Sequence, residues 1–225
     1  MRLDEITEIL DRNDESNVKY YLDKIIQKQD NFAKESNRLG LFMIIIIFLF
    51  YLIDNSIAKS IRIGPISIDD LVAIKIYIPL VLAFLILRYQ VITAHNAELK
   101  NISKIISSMY FGANSENMKN GQLDDFTRSL LPISLYGELS KLIINGNKKL
   151  GCIGALLIIP FMLAIGLAPY YFEWIWLKDI LINFRELNFY EKITAVLTIW
   201  LLIVSFFYLV QTFIIAFKDK QDTSS

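Results

Sequence analysis

The residues of this chain that could carry chemistry are few and scattered. His95 is the single histidine, with Glu98 as the one carboxylate in helical reach. Zinc needs about four nitrogen or sulfur ligands, and a general base needs a positioned partner. The pair therefore reads as an interfacial anchor. Cys152 is the single cysteine, which rules out an internal disulfide framework and a cysteine-based zinc cluster. Thr194, Thr198 and Ser205 fall within roughly 60° of one face of a helix, and Gln211 follows in the same stretch. Hydroxyls so placed bond back to their own helix or across to another; the other reading is the lining of a narrow, weakly polar pore. The sequence carries no glycine-rich phosphate loop, nucleophile motif or pair of intramembrane carboxylates. The expectation is a non-enzymatic protein with no catalytic, cofactor-binding or metal site and no cofactor.

The elements that would hold these residues are strongly apolar. Hydrophobic residues make up 54% of the chain, above the usual share of soluble domains, and they cluster. Leu39–Ile53 is one unbroken apolar run, and Leu150–Pro169 and Ile193–Phe217 carry no charge. Leu71–Ile92 is interrupted by Lys75 and by Arg88-Tyr89-Gln90. A helix crosses the hydrocarbon core with roughly 20 apolar residues. Isoleucine runs such as Ile44–Ile47 lack the period-2 alternation of a membrane barrel. The reading is all-α, a polytopic membrane protein with four transmembrane helices and a small helical cytoplasmic cap. The spans are expected at 39–57, 71–92, 150–169 and 193–217. The first is short and would run on past Asp54 towards Ala58, with Arg38 snorkelling at its other end. Pro79 and Pro160 lie inside spans and are expected to bend them. Small residues from Gly151 to Ala168 give the third span a surface for close helix contact.

Orientation follows from lysine and arginine. Lys28, Lys34, Arg38, Arg88, Lys100, Lys104, Lys141, Lys148, Lys149, Lys218 and Lys220 flank the spans on one side. Lys59, Arg62, Lys75, Lys178, Arg185 and Lys192 flank them on the other. The richer side is read as cytoplasmic, so both termini are expected on the cytoplasmic side. A cleavable signal peptide is not expected, because the first apolar run begins only at Leu39, after a long charged leader. Formal net charge is zero, which gives no reason to expect direct nucleic-acid binding.

Between the spans lie amphipathic segments. Residues 1–38 read as a cytoplasmic helix in two pieces, broken near Asn13-Asp14, with Asp14 or Ser16 as cap. Val18, Ile25, Phe32 and Leu39 recur every seven residues, with Leu22, Gln29 and Ser36 on companion positions. That seam suits packing on the protein's own cytoplasmic loop, or self-association. Residues 58–70 form an outer loop in which isoleucines around Gly64-Pro65 suggest a tiny β-hairpin or an extended flap. Residues 93–149 form a cytoplasmic helical loop. Leu99, Ile102, Ile106, Met109 and Tyr110 make the face of one helix ending at Gly112, and a second helix starts at Pro132. Residues 170–192 form an outer loop, with Trp174, Trp176, Ile180, Leu181 and Phe184 on a short interfacial helix. Residues 218–225 are a cytoplasmic tail. Arg38-Leu39-Gly40 and Lys149-Leu150-Gly151 open the first and third spans alike, as duplicated hairpins would. No ionisable residue falls near the middle of an expected span. Lys75 and Arg88 each sit about one turn from an end of the second, and Asp54 caps the outer end of the first.

A polar N-terminal helix, apolar hairpins, a helical cytoplasmic loop and an Ile/Lys/Asn-rich composition resemble, in architecture, the small membrane effectors of bacterial anti-phage defence systems. These are the effectors paired with retrons or nucleotide-signalling enzymes. The resemblance implies a homo-oligomer in the lipid bilayer that forms a pore or perturbs the membrane, depolarising it to halt an infected cell. It transfers no residue-level role. The alternative from another class is a non-conducting scaffold or sensor that docks a soluble cytoplasmic protein partner through residues 96–149.

Overall fold

A computed structural model of the chain describes residues 12–55, 61–63, 66–68, 76–111, 160, 166–178 and 180–221. Four helices dominate them: α1 is Glu15–Asp54, α2 is Ile78–Phe111, α3 is residues 166–178 and α4 is Phe189–Gln221. The exception to the helical rule is one antiparallel pair, β1 (Ile61–Ile63) and β2 (Ile66–Ile68), with Ile61 opposite Ile68 and Ile63 opposite Ile66. Of the two alternatives for residues 58–70, the β-hairpin pairing is therefore the one adopted. The chain divides into two compact units. The first holds Met1–Ser36, Val91–Ser134 and Tyr208–Ser225, and the second Asn37–Gln90 and Leu135–Phe207.

Helix α1 begins where the Asp14 carbonyl accepts the backbone N–H groups of Asn17 (2.9 Å) and Val18 (3.2 Å). Glu15 in the first turn suits the positive end of the helix dipole. No proline or cap interrupts the forty residues that follow, so the amphipathic segment and the first apolar run form one helix. It closes at Asp54. The backbone N–H and the side-chain amide of Asn55 both donate to the Tyr51 carbonyl, at 3.2 and 2.9 Å. Asparagine tolerates the conformation that ends a helix; residues 56–58 of the expected extension towards Ala58 lie outside the described residues.

The seven-residue seam continues far beyond its amphipathic part. Val18, Ile25, Phe32, Leu39, Ile46 and Ile53 form one row, and Leu22, Gln29, Ser36, Met43 and Phe50 the other. Every one of these is buried or half-buried. A repeat of 3.5 residues per turn keeps such a stripe turned towards neighbouring helices. In the first unit Val18 and Leu22 pack on Ile106, with Ile25, Ile26 and Ile102 around them. The protein's own α2 thus fills this stretch of seam. In the second unit Met43 packs with Leu82 and Ile86, and Phe50 and Ile53 with Ile78, Trp176, Ile180 and Ala195.

Helix α2 starts at Ile78, with Val81 N–H donating to the Tyr77 carbonyl at 3.1 Å. Pro79 therefore stands in the first turn, where a missing N–H costs nothing and its fixed φ favours the helix. It opens this helix rather than bending it. Residues 71–75, Lys75 among them, lie outside the described residues. Helix α4 opens on a reciprocal cap: Asn188 N–H donates to Glu191 Oε2 (2.9 Å) and Glu191 N–H to Asn188 Oδ1 (3.0 Å).

Among the described residues, three helices are long and apolar enough to cross a membrane, over Glu15–Ile53, Ile78–Lys100 and Phe189–Thr212. Of the span expected at 150–169, the described residues are Pro160 and 166–169. Cys152, the second loop helix from Pro132 and most of the small-residue surface lie outside the description. These spans are compatible with a multi-pass membrane protein.

Gln29 sits on the seam fully buried, and neither its amide oxygen nor its amide nitrogen has a hydrogen-bond partner among the described residues. An orphaned buried amide costs about 1–3 kcal/mol. Gln29→Leu should raise the thermal midpoint of the purified protein, followed by circular dichroism in detergent. A lowered midpoint would mean the amide holds a partner.

Candidate functional site

Several polar residues of the second unit are buried, while many of its large apolar residues are exposed. Gln90, Glu173, Thr194, Thr198 and Ser205 are buried. Phe48, Phe84, Trp200, Ile203 and Phe206 are exposed. A soluble protein would reverse this. Lipid favours it, because tails solvate apolar side chains and leave polar ones to pair internally.

Each buried hydroxyl of α4 has a partner. Thr194 Oγ1 donates to the Tyr190 carbonyl (3.0 Å) and Thr198 Oγ1 to the Thr194 carbonyl (2.8 Å), both one turn back. Ser205 reaches across to another helix, its Oγ lying 3.0 Å from the Tyr170 hydroxyl. The three residues do share a helical face, and that face is engaged in helix packing.

Tyr170 is the centre of a three-helix link. The Gln90 side-chain amide of α2 donates to its hydroxyl at 2.9 Å, and the same hydroxyl shares a hydrogen bond with Ser205 of α4. The ring also packs beside Met43, Leu82 and Ile86. Phe172, two residues on, meets Phe50 of α1 edge to face at 4.8 Å between ring centres. Helix α3 thereby holds α1, α2 and α4 together, with polar contacts on one turn and aromatic ones on the next. Gln90 and Ser205 belong to two of the stretches able to cross a membrane, Ile78–Lys100 and Phe189–Thr212.

Glu173 lies one turn beyond Tyr170, on the buried stripe of α3. Pro169, Glu173 and Trp176 are spaced four and three residues apart, and all three are buried, as is Ile180 beyond them. Glu173 is 1% exposed, and neither carboxyl oxygen has a hydrogen-bond partner among the described residues. Sequence reasoning passed over Glu173, because one acid amid five aromatic residues reads as part of a wet interfacial loop. The i, i+4, i+7 spacing from Pro169 to Trp176 was the available signal.

The other candidates are less central. His95 and Glu98 meet at 3.6 Å on α2 with both side chains largely exposed, a surface contact of little energetic weight. Arg88 is exposed near the middle of the stretch Ile78–Lys100, because α2 starts later than expected and that stretch moves with it. No group of three or more potential metal ligands occurs among the described residues.

A double-mutant cycle tests the link. Tyr170→Phe and Ser205→Ala, alone and together, should show a coupling energy of about 0.6 kcal/mol, with ~1.7 as the upper end, in a reversible denaturation assay in mixed micelles. Strict additivity would mean that the two hydroxyls do not bond. Comparison with known protein families, with curated proteins and with solved structures finds no match to this chain, so the role of this site rests on its geometry.

Proposed function

We propose that this chain is a non-enzymatic, multi-pass membrane protein that acts as an oligomeric pore-forming or membrane-perturbing effector. The observation that carries the reading is how little of its apolar helix surface one copy covers. Only 22% of the most apolar window is buried in the helix ending at Ile53 and in the one starting at Phe189, against 44% in the Ile78–Lys100 helix. Two of the three candidate spans thus leave more of their apolar surface open to lipid or to further copies than the third does. Association between apolar helices rests on packing and a few polar contacts, and exposed Trp200, Phe206 and Phe207 on α4 offer broad surfaces for it. The buried hydroxyls of α4 are engaged within a single copy, which leaves a conducting path to be built between copies. The architectural likeness to anti-phage membrane effectors supports depolarisation as the outcome, with the protein in a bacterial inner membrane and both termini cytoplasmic.

Expression in cells loaded with a potential-sensitive dye should collapse the membrane potential under activating conditions. Crosslinking in membranes should give a ladder above the monomer. A potential that stays intact under those conditions would sink the pore reading.

A second reading has its own support. Helix α2 continues through Phe111, past the stretch that ends at Lys100, and Ile102 and Ile106 pack on Val18 and Leu22. That is a folded helical module of the kind a scaffold or sensor uses to dock a soluble cytoplasmic partner through residues 96–149. Deleting this segment would then abolish function while leaving the crosslinked ladder unchanged; a ladder lost together with function would argue against docking.

A further inference from the structure

We propose that Glu173 is a proton-binding site inside the second unit, and that its loss of a proton loosens α3 from the helices it joins. The inference does not rest on the pore reading. It rests on placement: a carboxyl at 1% exposure, in the middle of the buried stripe of α3, with both oxygens unpartnered among the described residues. A carboxylate left unpaired in an apolar interior costs several kcal/mol, and such a group takes a proton or a cation instead.

The surroundings decide between the two. Packed on α3 are Phe50 and Ile53 from α1, Ile78 and Gln90 from α2, and Ala195 and Ser205 from α4. Among the described residues, the titratable side chains in this packing are Tyr170 itself and Tyr89. No cationic side chain among the described residues pairs with Glu173. A bound metal ion would want about six oxygen ligands. The Tyr170 hydroxyl, one turn away on α3, and the Ser205 hydroxyl it meets are already bonded to each other. One carboxyl without an oxygen cage suits a proton.

The consequence for packing follows from the same geometry. Protonated, Glu173 is a neutral group in the stripe that includes Trp176 and Ile180, which close on Phe50, Ile53, Ile78 and Ala195. Deprotonated, it must gain water or a counter-ion, and admitting either into this apolar packing parts α3 from that cluster. The Tyr170 link to Gln90 and Ser205, one turn away, then loosens as well. Raising the pH therefore weakens the assembly of α3 with its neighbours, and lowering it restores the assembly.

The test is an infrared titration of the full-length protein in lipid nanodiscs, beside Glu173→Gln. A protonated-carboxyl C=O band should persist at neutral pH, vanish reversibly as the pH is raised, and be absent from the glutamine variant. Hydrogen exchange of residues 166–178, corrected for intrinsic rates, should rise with pH in the wild type and stay flat in the variant. If the glutamine variant does not fold, Glu173→Asp serves instead, and the same band should shift. A carboxylate spectrum at neutral pH overturns the proposal, since Glu173 would then have a cationic partner. A neutral-pH band that survives in the glutamine variant overturns it too, as does exchange that ignores pH while the band titrates.

Discussion

A polar group shut away from water must be given a partner, and in a chain this apolar the requirement organises everything else. Backbone groups meet it by forming helices, because a helix satisfies its own N–H and C=O groups without help from neighbours. The threonines of α4 meet it by donating one turn back, at Thr194 and Thr198. Tyr170, Gln90 and Ser205 meet it jointly and, in doing so, tie three helices together. Glu173 and Gln29 do not meet it among the described residues. These unmet cases are the most informative in the molecule, since a fold does not bury an acid or an amide at a cost of kilocalories without something to offset it.

The long seam of α1 is the second organising feature. Its heptad spacing runs from Val18 to Ile53 without a break, and it serves a different purpose in each unit. In the first it brings Val18 and Leu22 onto Ile106. In the second it sets Met43, Phe50 and Ile53 against residues of α2, α3 and α4. One helix supplies a buried stripe to both units, and its remaining faces are left to solvent or lipid. Tyr20 and Tyr21 near its start and Ile44 and Phe48 further along are all exposed.

Exposed apolar surface and buried polar contacts together separate this protein from a soluble helical bundle. Isolated exposed leucines mean little. Here the exposure runs the length of α4, from Phe189 through Trp200 to Ile214, while its Thr194, Thr198 and Ser205 are buried. Inversion on that scale is expected where the surrounding medium is hydrocarbon.

Much of this was legible in the residues alone. Apolar run lengths revealed the helices, because the bilayer sets a length and the backbone leaves a helix as the solution. The seven-residue spacing revealed the buried side of α1, and isoleucines flanking Gly64-Pro65 pointed to the hairpin that β1 and β2 form. Periodicity also put Thr194, Thr198 and Ser205 on one face. Element boundaries were less legible: whether Pro79 bends a helix or begins one depends on where the first hydrogen bond closes, and that bond is Val81 to Tyr77. What only the tertiary structure decided was which polar residues meet. Gln90, Tyr170 and Ser205 are far apart in the chain, and local pattern carries no information about contacts between helices. For the same reason Glu173 looked wet. Its burial comes from the other helices packed around α3, and no stretch of sequence near it records them.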